Sequence, residues 1–294
     1  MNLLIADSGS TKTSWLSIDA EGRRTEFETL GINPVRDTEE QMLRALPQTS
    51  LPNGEGPNTQ TTPSPLWGRA GERVRVHFYG AGCIPPYSAV LEGLLRQRFP
   101  GAEVRVESDL LGAAQALCAD AEGIACILGT GSNSCLYDGR RIVENVSPLG
   151  YILGDEGSGA VLGRRLVGDL LKGQTDAQLL RAFQEETGLT APDIIRKVYR
   201  EPLPNRFLAS LVPFLGRHRE DEAVHNLLTD EFRRFFRRNV ALYRRPDLEV
   251  HFVGGVAHSY RDELQEAARL EGFRLGRILL RPIEGMAQYL LHHA

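Results

Sequence analysis

Two short turns of one composition most constrain the fold. Asp7-Ser8-Gly9-Ser10-Thr11-Lys12-Thr13 and Gly129-Thr130-Gly131-Ser132-Asn133 are both small, hydroxyl-rich and glycine-bearing, and about 120 residues separate them. Each lies between apolar runs: Leu3 to Ala6 and Trp15 to Ile18 flank the first, Ile124 to Leu128 and Cys135 to Tyr137 the second. Strand, tight turn and strand therefore occur twice, as in a duplicated unit. Glycine lets backbone approach an anion, and exposed N–H and hydroxyl groups donate to its oxygens. Either turn alone reads equally well as an ordinary hairpin, because Gly, Ser, Asp and Asn dominate turns for reasons unconnected with ligands. Asp7, Thr11, Lys12 and Thr13 add a carboxylate, hydroxyls and a cation to one turn, and the pair points to two phosphate-gripping hairpins facing one nucleotide from opposite lobes.

The pattern around the turns repeats as well. The first half reads as strands at Leu3–Ala6, Trp15–Ile18 and Thr25–Leu30, a helix at Thr38–Leu46, a strand at Val74–Tyr79, a helix at Ser88–Phe99, a strand at Val104–Val106 and a helix at Leu110–Ala119. The second half restarts with strands at Ile124–Leu128, Ser134–Tyr137 and Arg141–Val146. Helices follow near Gly157–Leu171, Thr175–Glu186, Ala191–Tyr199, Arg206–Gly216 and Asp221–Tyr243, then strand Glu249–Val253, helix Ser259–Glu271, strand Arg277–Leu280 and helix Ile283–His292. This is a duplicated α/β architecture with a cleft between lobes. The expected domains are 1–119 and 120–294, with the final helix packing back on the N-terminal lobe. Ser50–Arg73 fits no element: crowded with Pro, Gly, Asn and Thr and without hydrophobic period, it reads as a low-complexity insertion at 50–73.

The 294 residues are 41% hydrophobic and 24% charged, enough for two modest lobes, and the net charge of −4 gives no footprint for nucleic acid or an anionic membrane surface. The chain enters a strand almost at once and has no apolar run of about 18 residues, so a cytoplasmic protein with neither leader nor span is expected. Cys83, Cys118, Cys126 and Cys135 show no Cys-x-x-Cys spacing and read as reduced core thiols. Of the 34 basic residues, 31 are Arg, and Lys12 is one of three exceptions; a compact ammonium inside a phosphate-loop candidate suits phosphate.

Three further segments carry chemistry. From Val104 the chain is a short strand that leads to Asp109 at the start of a helix, and ligands of α/β sheets bind beyond the carboxyl ends of strands. Asp109 is thus a general base aimed into the cleft or the helix N-cap. Gly154-Asp155-Glu156-Gly157 sets two carboxylates among glycines, where an acid can accept from sugar hydroxyls or cap the following helix. Val253-Gly254-Gly255 is a strand entering a glycine pair, which offers backbone for a nucleobase and ribose or simply turns the chain.

Taken in order, DSGSTKT, GINP, ESDLLGAA, GTGSNS, LGDEGSG, VGGVA and PIEG resemble the BadF/BadG/BcrA/BcrD-type ATPase and N-acetylglucosamine kinase family, within the superfamily of actin-like ATPases. The likeness covers nearly the whole chain outside 50–73. It implies the two-lobed actin-like ATPase (ribonuclease H-like) fold, with duplicated mixed sheets around a nucleotide cleft, and an ATP-dependent kinase for N-acetylglucosamine or a related amino sugar. By resemblance Asp7, Gly9, Ser10, Thr11, Lys12 and Thr13 form the first phosphate motif, with Asp7 near Mg²⁺. Gly129, Thr130, Gly131 and Ser132 form the second, Gly254 and Gly255 the adenosine motif. Asp109 is the catalytic base, and Asn33, Gly154 and Asp155 hold the sugar. Ser8 and Ser10 stand where glycine is common in the family. The partner implied is a small-molecule amino sugar, with no nucleic acid and no membrane, and a homodimer is compatible with it.

Two rival functions differ in kind. Some family members are ATPases that activate a partner redox enzyme through an iron–sulfur cluster shared by cysteines of two subunits, whereas Cys126 and Cys135 fall in strands. A nucleotide-gated sensor without turnover would have no need of a base such as Asp109. The insertion yields its own expectation. Replacing Ser50–Arg73 by a short Gly-Ser turn should leave turnover and stability largely unchanged, since each doubling of a flexible loop costs only about 0.6 kcal/mol. A thermal melt and an ADP-release assay on the shortened chain check this; loss of fold or of transfer would mean that Trp67 and its neighbours pack on the body.

Overall fold

The structure, a computed structural model, describes residues 2–9, 11–47 and 74–293. Ser10 and the 50–73 insertion lie outside the described residues. The chain divides into two compact units, Met1–Ala116 with Pro282–Ala294, and Leu117–Arg281. The first contains strands β1 (Asn2–Ser8), β2 (Lys12–Ile18), β3 (Arg24–Leu30), β4 (Val74–Gly80) and β5 (Glu103–Ser108) in the order β3-β2-β1-β4-β5. The second contains β6 (Glu122–Leu128), β7 (Ser132–Asp138), β8 (Ile142–Glu144), β9 (Glu249–Val253) and β10 (Arg274–Leu279) in the order β8-β7-β6-β9-β10. In each sheet the first three strands form an antiparallel meander, and the last two run parallel to the first. The duplication expected from the two turns is thus a duplication of topology.

The apolar run Leu3-Leu4-Ile5-Ala6 follows from helices covering both faces of the first sheet, because a strand buried on both sides cannot alternate apolar with polar residues. Leu4, Ala6, Trp15, Val76 and Phe78 face helices Glu39–Ala45 and Tyr87–Arg98, with Trp15 stacked 6.0 Å from Phe27. Leu3, Ile5, Leu16 and Ile18 pack with Ile283, Met286, Ala287 and Leu290 of helix Ile283–His292. Gly112 has no room for a Cβ, which would meet Met286 Cε and, at 2.8 Å, the Tyr79 ring. The large core of the second unit brings Ile124, Cys126, Leu128, Val250 and Phe252 against Leu162, Leu166, Phe232, Phe235 and Phe236.

Departures from the sequence-based elements have local causes. The helix expected over Arg206–Gly216 is two, Pro204–Ser210 and Val212–Arg217, because Pro213 cannot donate to the preceding turn. The helix expected to run to Tyr243 ends at Arg238, and a 3₁₀ turn covers Val240–Tyr243; Asn239 leaves helical geometry with its Nδ2 toward Glu156 (3.4 Å) and the Phe235 carbonyl (3.3 Å). Strand β10 begins at Arg274, three residues before the expected start. Among the described residues no helix is long and apolar enough to cross a membrane.

Helix Gly159–Leu171 contains two interior glycines in opposite surroundings. A Cβ on Gly163 would collide with the Leu208 carbonyl, whereas one on Gly168 would meet nothing within 4 Å. Gly163→Ala should therefore destabilise by about 1 to 3 kcal/mol through overpacking. Gly168→Ala should stabilise by about 0.5 to 1 kcal/mol through helix propensity alone. Urea unfolding of the two variants reads both signs; a shared sign would refute the close crossing.

Candidate active site

The first hairpin turn is closed by the Gly9 N–H donating to the Lys12 carbonyl at 3.0 Å and is pinned from outside by the Gly31 N–H donating to the Thr11 carbonyl at 3.1 Å. Gly31 admits no side chain, since a Cβ would stand 2.6 Å from the Gly9 carbonyl oxygen. Behind the turn two hydroxyls face inward. Ser8 Oγ donates to the Ile32 carbonyl (3.0 Å) and accepts from its N–H (2.9 Å), while Thr13 Oγ1 donates to the Leu30 carbonyl (3.0 Å) and lies 2.8 Å from Ser8 Oγ. Ser8 and Thr13 are fully buried. The hydroxyl of Thr13, expected to face phosphate, is thus committed to the segment after β3, and so is that of Ser8. Lys12 points across the sheet surface to an ion pair with Glu28. The exposed Thr11 remains at the turn, and Asp7 is half-buried at the end of β1.

The parallel strands of this unit end in register: Ser8 lies opposite Gly80, and Gly80 opposite Ser108. Adjacent strands stand about 4.8 Å apart, so the turn, the β4 end and the β5 end share one carboxyl edge. Asn33 and Asp109 flank this edge. Asn33 Oδ1 accepts from the Val35 N–H (3.0 Å), the Asn33 N–H donates to Asp37 Oδ2 (2.7 Å), and Gly82, at φ 80°, leaves no space for a Cβ beside Asn33 Oδ1. That leaves Asn33 Nδ2 as a donor. Helix Asp109–Cys118 is capped by Ser108, whose Oγ accepts from the Leu111 N–H (3.2 Å). Capping is therefore the work of Ser108, while Asp109 Oδ1 accepts from the adjacent Leu110 N–H (2.9 Å). Desolvation by burial raises the Asp109 carboxyl to about 6, against two backbone N–H groups that lower it.

In the second unit the Gly129 N–H closes the turn on the Gly131 carbonyl (2.9 Å), and the Gly129 and Thr130 carbonyls accept from the Gly159 and Ala160 N–H groups (2.8 and 3.0 Å). The first amides of helix Gly159–Leu171 are thereby used up, with Val161 N–H on the Ser158 cap (3.2 Å). The amides of Thr130 and Gly131 have no acceptor among the described residues and are free for an anion. Gly254, at φ 124°, crosses the base of this turn so closely that a Cβ would strike the Leu128 carbonyl, while Gly255 faces open space. Gly154 is excluded from bearing a side chain by the Pro148 carbonyl. Asp155 sits in left-handed geometry (φ 53°) with its N–H on the Pro148 carbonyl (2.8 Å) and Oδ1 accepting from Ser132 N–H (3.4 Å). Burial raises its carboxyl to about 6; the Ser132 N–H lowers it and Glu156 raises it further. The neighbouring acid differs: Glu156 is buried and held by Arg238 and Asn239.

Asp7, Gly9, Thr11, Lys12, Thr13, Asn33 and Asp109 thus belong to the first unit, and Gly129, Thr130, Gly131, Ser132, Gly154, Asp155, Gly254 and Gly255 to the second. Sequence reasoning missed Ser108, Gly31, Gly82 and Arg238. Ser-x-x-Leu at the end of a strand is a capping pattern that could have exposed the first; the others depend on partners distant in sequence. All four cysteines are free and buried. Burial pushes Cys135 up to about 12 and Cys126 well above its ordinary value, so both are neutral thiols.

Two five-stranded mixed sheets of one strand order, each opening with a hairpin whose turn lies at the carboxyl edge of the parallel strands, define an actin-like ATPase fold. Among solved structures the chain is similar to a candidate N-acetylglucosamine kinase from Porphyromonas gingivalis, at 47% identity over 99% of this chain and 100% of that one, with a TM-score of 0.87. The chain belongs to that protein's family, the N-acetylglucosamine kinase family of actin-like ATPases. A candidate N-acetylglucosamine kinase from Chromobacterium violaceum (22% identity, 98% of each chain, TM-score 0.70) shares the fold. So does the ethanolamine utilization protein EutJ from Carboxydothermus hydrogenoformans (13%, 98% of this chain and 88% of that one, 0.50). No protein-family model matches the chain, and no curated protein does.

The raised carboxyls make stability fall with pH in a defined window. A group whose folded value exceeds its unfolded one binds more protons in the native state, so stability is lost as pH rises from 3.8 to about 6 and stays lost above it. Asp109→Asn and Asp155→Asn should each be more stable than the natural chain at pH 8, by up to about 3 kcal/mol, and lose this advantage near pH 4. Urea unfolding at the two pH values checks it. An equal difference at both would show that ionisation is not the cause.

Proposed function

We propose that the protein is an ATP-dependent kinase that phosphorylates N-acetylglucosamine or a related amino sugar, a member of the BadF/BadG/BcrA/BcrD-type group. The observation that carries this reading is the full-length similarity, at 47% identity, to the Porphyromonas gingivalis candidate N-acetylglucosamine kinase. The site chemistry supports it. Asp109 is a half-buried carboxyl at the carboxyl edge of its sheet, relieved of capping by Ser108 and raised toward neutrality, as a general base requires. It takes the proton of the attacking sugar hydroxyl while that oxygen bonds to the terminal phosphorus and the bridge to ADP breaks. We assign the phosphates to the free amides of Thr130 and Gly131 with Ser132 in the second unit and to Gly9 and Thr11 at the turn of the first, while Gly254 and Gly255 give the adenosine a side-chain-free surface. Asn33 donates through Nδ2 to a sugar oxygen. Asp155 competes with phosphate for the Ser132 N–H, so its carboxylate is better matched to a sugar hydroxyl, beside Gly154.

A magnesium ion with a nucleotide is held by one or two carboxylates, water and phosphate oxygens. Among the described residues no three His, Cys, Asp or Glu side chains form a resident metal cage, and the half-buried Asp7 at the end of β1 fits that single-carboxylate role. The ion supplies neutralisation of phosphate charge. The buried, neutral Cys126 and Cys135 do not favour the activator reading, in which cysteines hold a shared cluster.

The test is ADP release across a panel of amino sugars with single variants. Asp109→Asn should retain nucleotide affinity and lose about 10² to 10⁴ in turnover. Asp155→Ala should weaken sugar binding by roughly tenfold or more while leaving ATP binding nearly unchanged. Near-normal turnover of Asp109→Asn, or ADP release indifferent to every sugar, would overturn the kinase reading.

A further inference from the structure

Helix Glu222–Arg238 touches the loop that carries Asp155 at several points along one face. Glu231, Phe235 and Arg238 stand at i, i+4 and i+7, one stripe of a helix with 3.6 residues per turn. Glu231 is fully buried; its Oε1 accepts from the Gly157 N–H at 3.4 Å, and its Oε2 accepts from Arg165 Nη1 at 2.8 Å and Arg234 Nη1 at 3.0 Å. Phe235 Cβ and Phe232 Cδ1 close on Gly157, within 3.3 and 3.4 Å of where a Cβ would stand. One residue earlier in the loop, Arg238 donates to Glu156 Oε1, and Asn239 Nδ2 lies 3.4 Å from Glu156 Oε2. The stripe therefore holds Glu156 and Gly157 in succession, leaving Asp155 at the end of a segment fixed from behind.

That segment needs holding. Asp155 and Gly157 both have left-handed backbone, at φ 53° and 73°, and Asp155 bears a side chain there. Its own restraints are the Asp155 N–H on the Pro148 carbonyl (2.8 Å), the Ser158 N–H on the Asp155 carbonyl (3.0 Å) and one long contact, the Ser132 N–H on Oδ1 (3.4 Å). A carboxylate taken wholly out of water is a poor stabiliser by itself, since desolvation offsets its ion pairs. Arg165 and Arg234 are themselves partly exposed and could meet Glu231 nearer the surface. Burial of Glu231 brings something the ion pairs do not need: an acceptor for the Gly157 amide inside the core.

We propose that Glu231 is a positioning residue that acts through the Gly157 amide, with Arg238 and Glu156, to hold Asp155 against the second hairpin. This inference rests on the reading of Asp155 as the sugar-facing acid. Sugar recognition is then set by a helix that does not itself touch the sugar.

The experiment compares Glu231→Gln, which keeps an acceptor oxygen, with Glu231→Ala, which does not, and uses Arg237→Gln as control, because Arg237 pairs with Glu271 off the stripe. Hydrogen exchange of residues 155–158 in the sugar-free protein should accelerate strongly in Glu231→Ala, less in Glu231→Gln and not in the control. The sugar KM should rise by roughly tenfold in Glu231→Ala, with partial rescue in Glu231→Gln and an unchanged ATP KM. In a double-mutant cycle, adding Glu231→Ala to Asp155→Asn should cost little more than Asp155→Asn alone. Arg238→Met, at the exposed end of the stripe, gives the same comparison if Glu231→Ala does not fold. Unaltered exchange at 155–158, or effects that multiply in full, would overturn the positioning role. If Asp155→Asn alone leaves the sugar KM unchanged, the sugar-facing reading fails and takes the substrate part of this proposal with it, while the exchange result still decides whether Glu231 fixes the loop.

Discussion

A tight turn that leaves N–H groups outward turns carbonyls inward, and buried carbonyls need donors. Both units meet this constraint by bringing the amides of another segment onto the turn. In the first, the Gly31 N–H bonds the Thr11 carbonyl; in the second, the Gly159 and Ala160 N–H groups bond the Gly129 and Thr130 carbonyls. The carbonyls are turned inward, and the amides of Thr130 and Gly131 are left outward. The glycines follow from the same requirement: at Gly31 a Cβ would fall 2.6 Å from a carbonyl of the turn, and at Gly159 it would stand 3.2 Å from the Gly129 carbonyl oxygen. The turn's geometry thus depends on sequence that lies outside it.

This explains which parts of the protein were legible from sequence. Repetition of the two hairpins and continuous apolar runs such as Leu3 to Ala6 report strands buried on both faces, and the duplicated strand order emerges from them. Cap and glycine patterns report the positions of Asp109, Asp155 and Gly254, whereas Asn33 carries no such local signal and is found only through the family resemblance. The direction of a side chain is another matter. Thr13 and Lys12 are adjacent in one turn motif, yet one is buried on Leu30 and the other paired with Glu28 at the surface, because successive residues of a strand point to opposite faces and β3 supplies both partners. Spacing alone cannot assign a hydroxyl to ligand or to core when the competing acceptor is about 17 residues away.

Asp155 and Glu156 make the same point about charge. Composition treats them as a pair of acids, but their surroundings separate them. Glu156 has a guanidinium and an amide from residues more than eighty positions away, so its charge is compensated. Asp155 has a single long N–H contact, which lowers its carboxyl too little to offset the burial that raises it to about 6. Asp109 reaches a similar value by the same route in the other unit. A carboxylate near neutrality is one whose proton can move at the pH of the cell, and it is costly to the fold for the same reason.

The two acids nevertheless differ in what fixes them. Asp109 is the first residue of a helix, so regular backbone and the Ser108 cap set its position locally, and a change elsewhere need not disturb it. Asp155 has a left-handed backbone in a loop without regular structure, held by its own N–H on the Pro148 carbonyl and by the contacts of Glu156 and Gly157 after it. The proposed base, which has one hydroxyl to meet, gains from a rigid local frame. The proposed sugar acid can instead be tuned from a distance, by altering Gly157's acceptor or Glu156's arginine without touching the acid. On that argument, specificity among related kinases of this architecture should vary more readily through the helix behind the Asp155 loop than through the strand and cap behind Asp109.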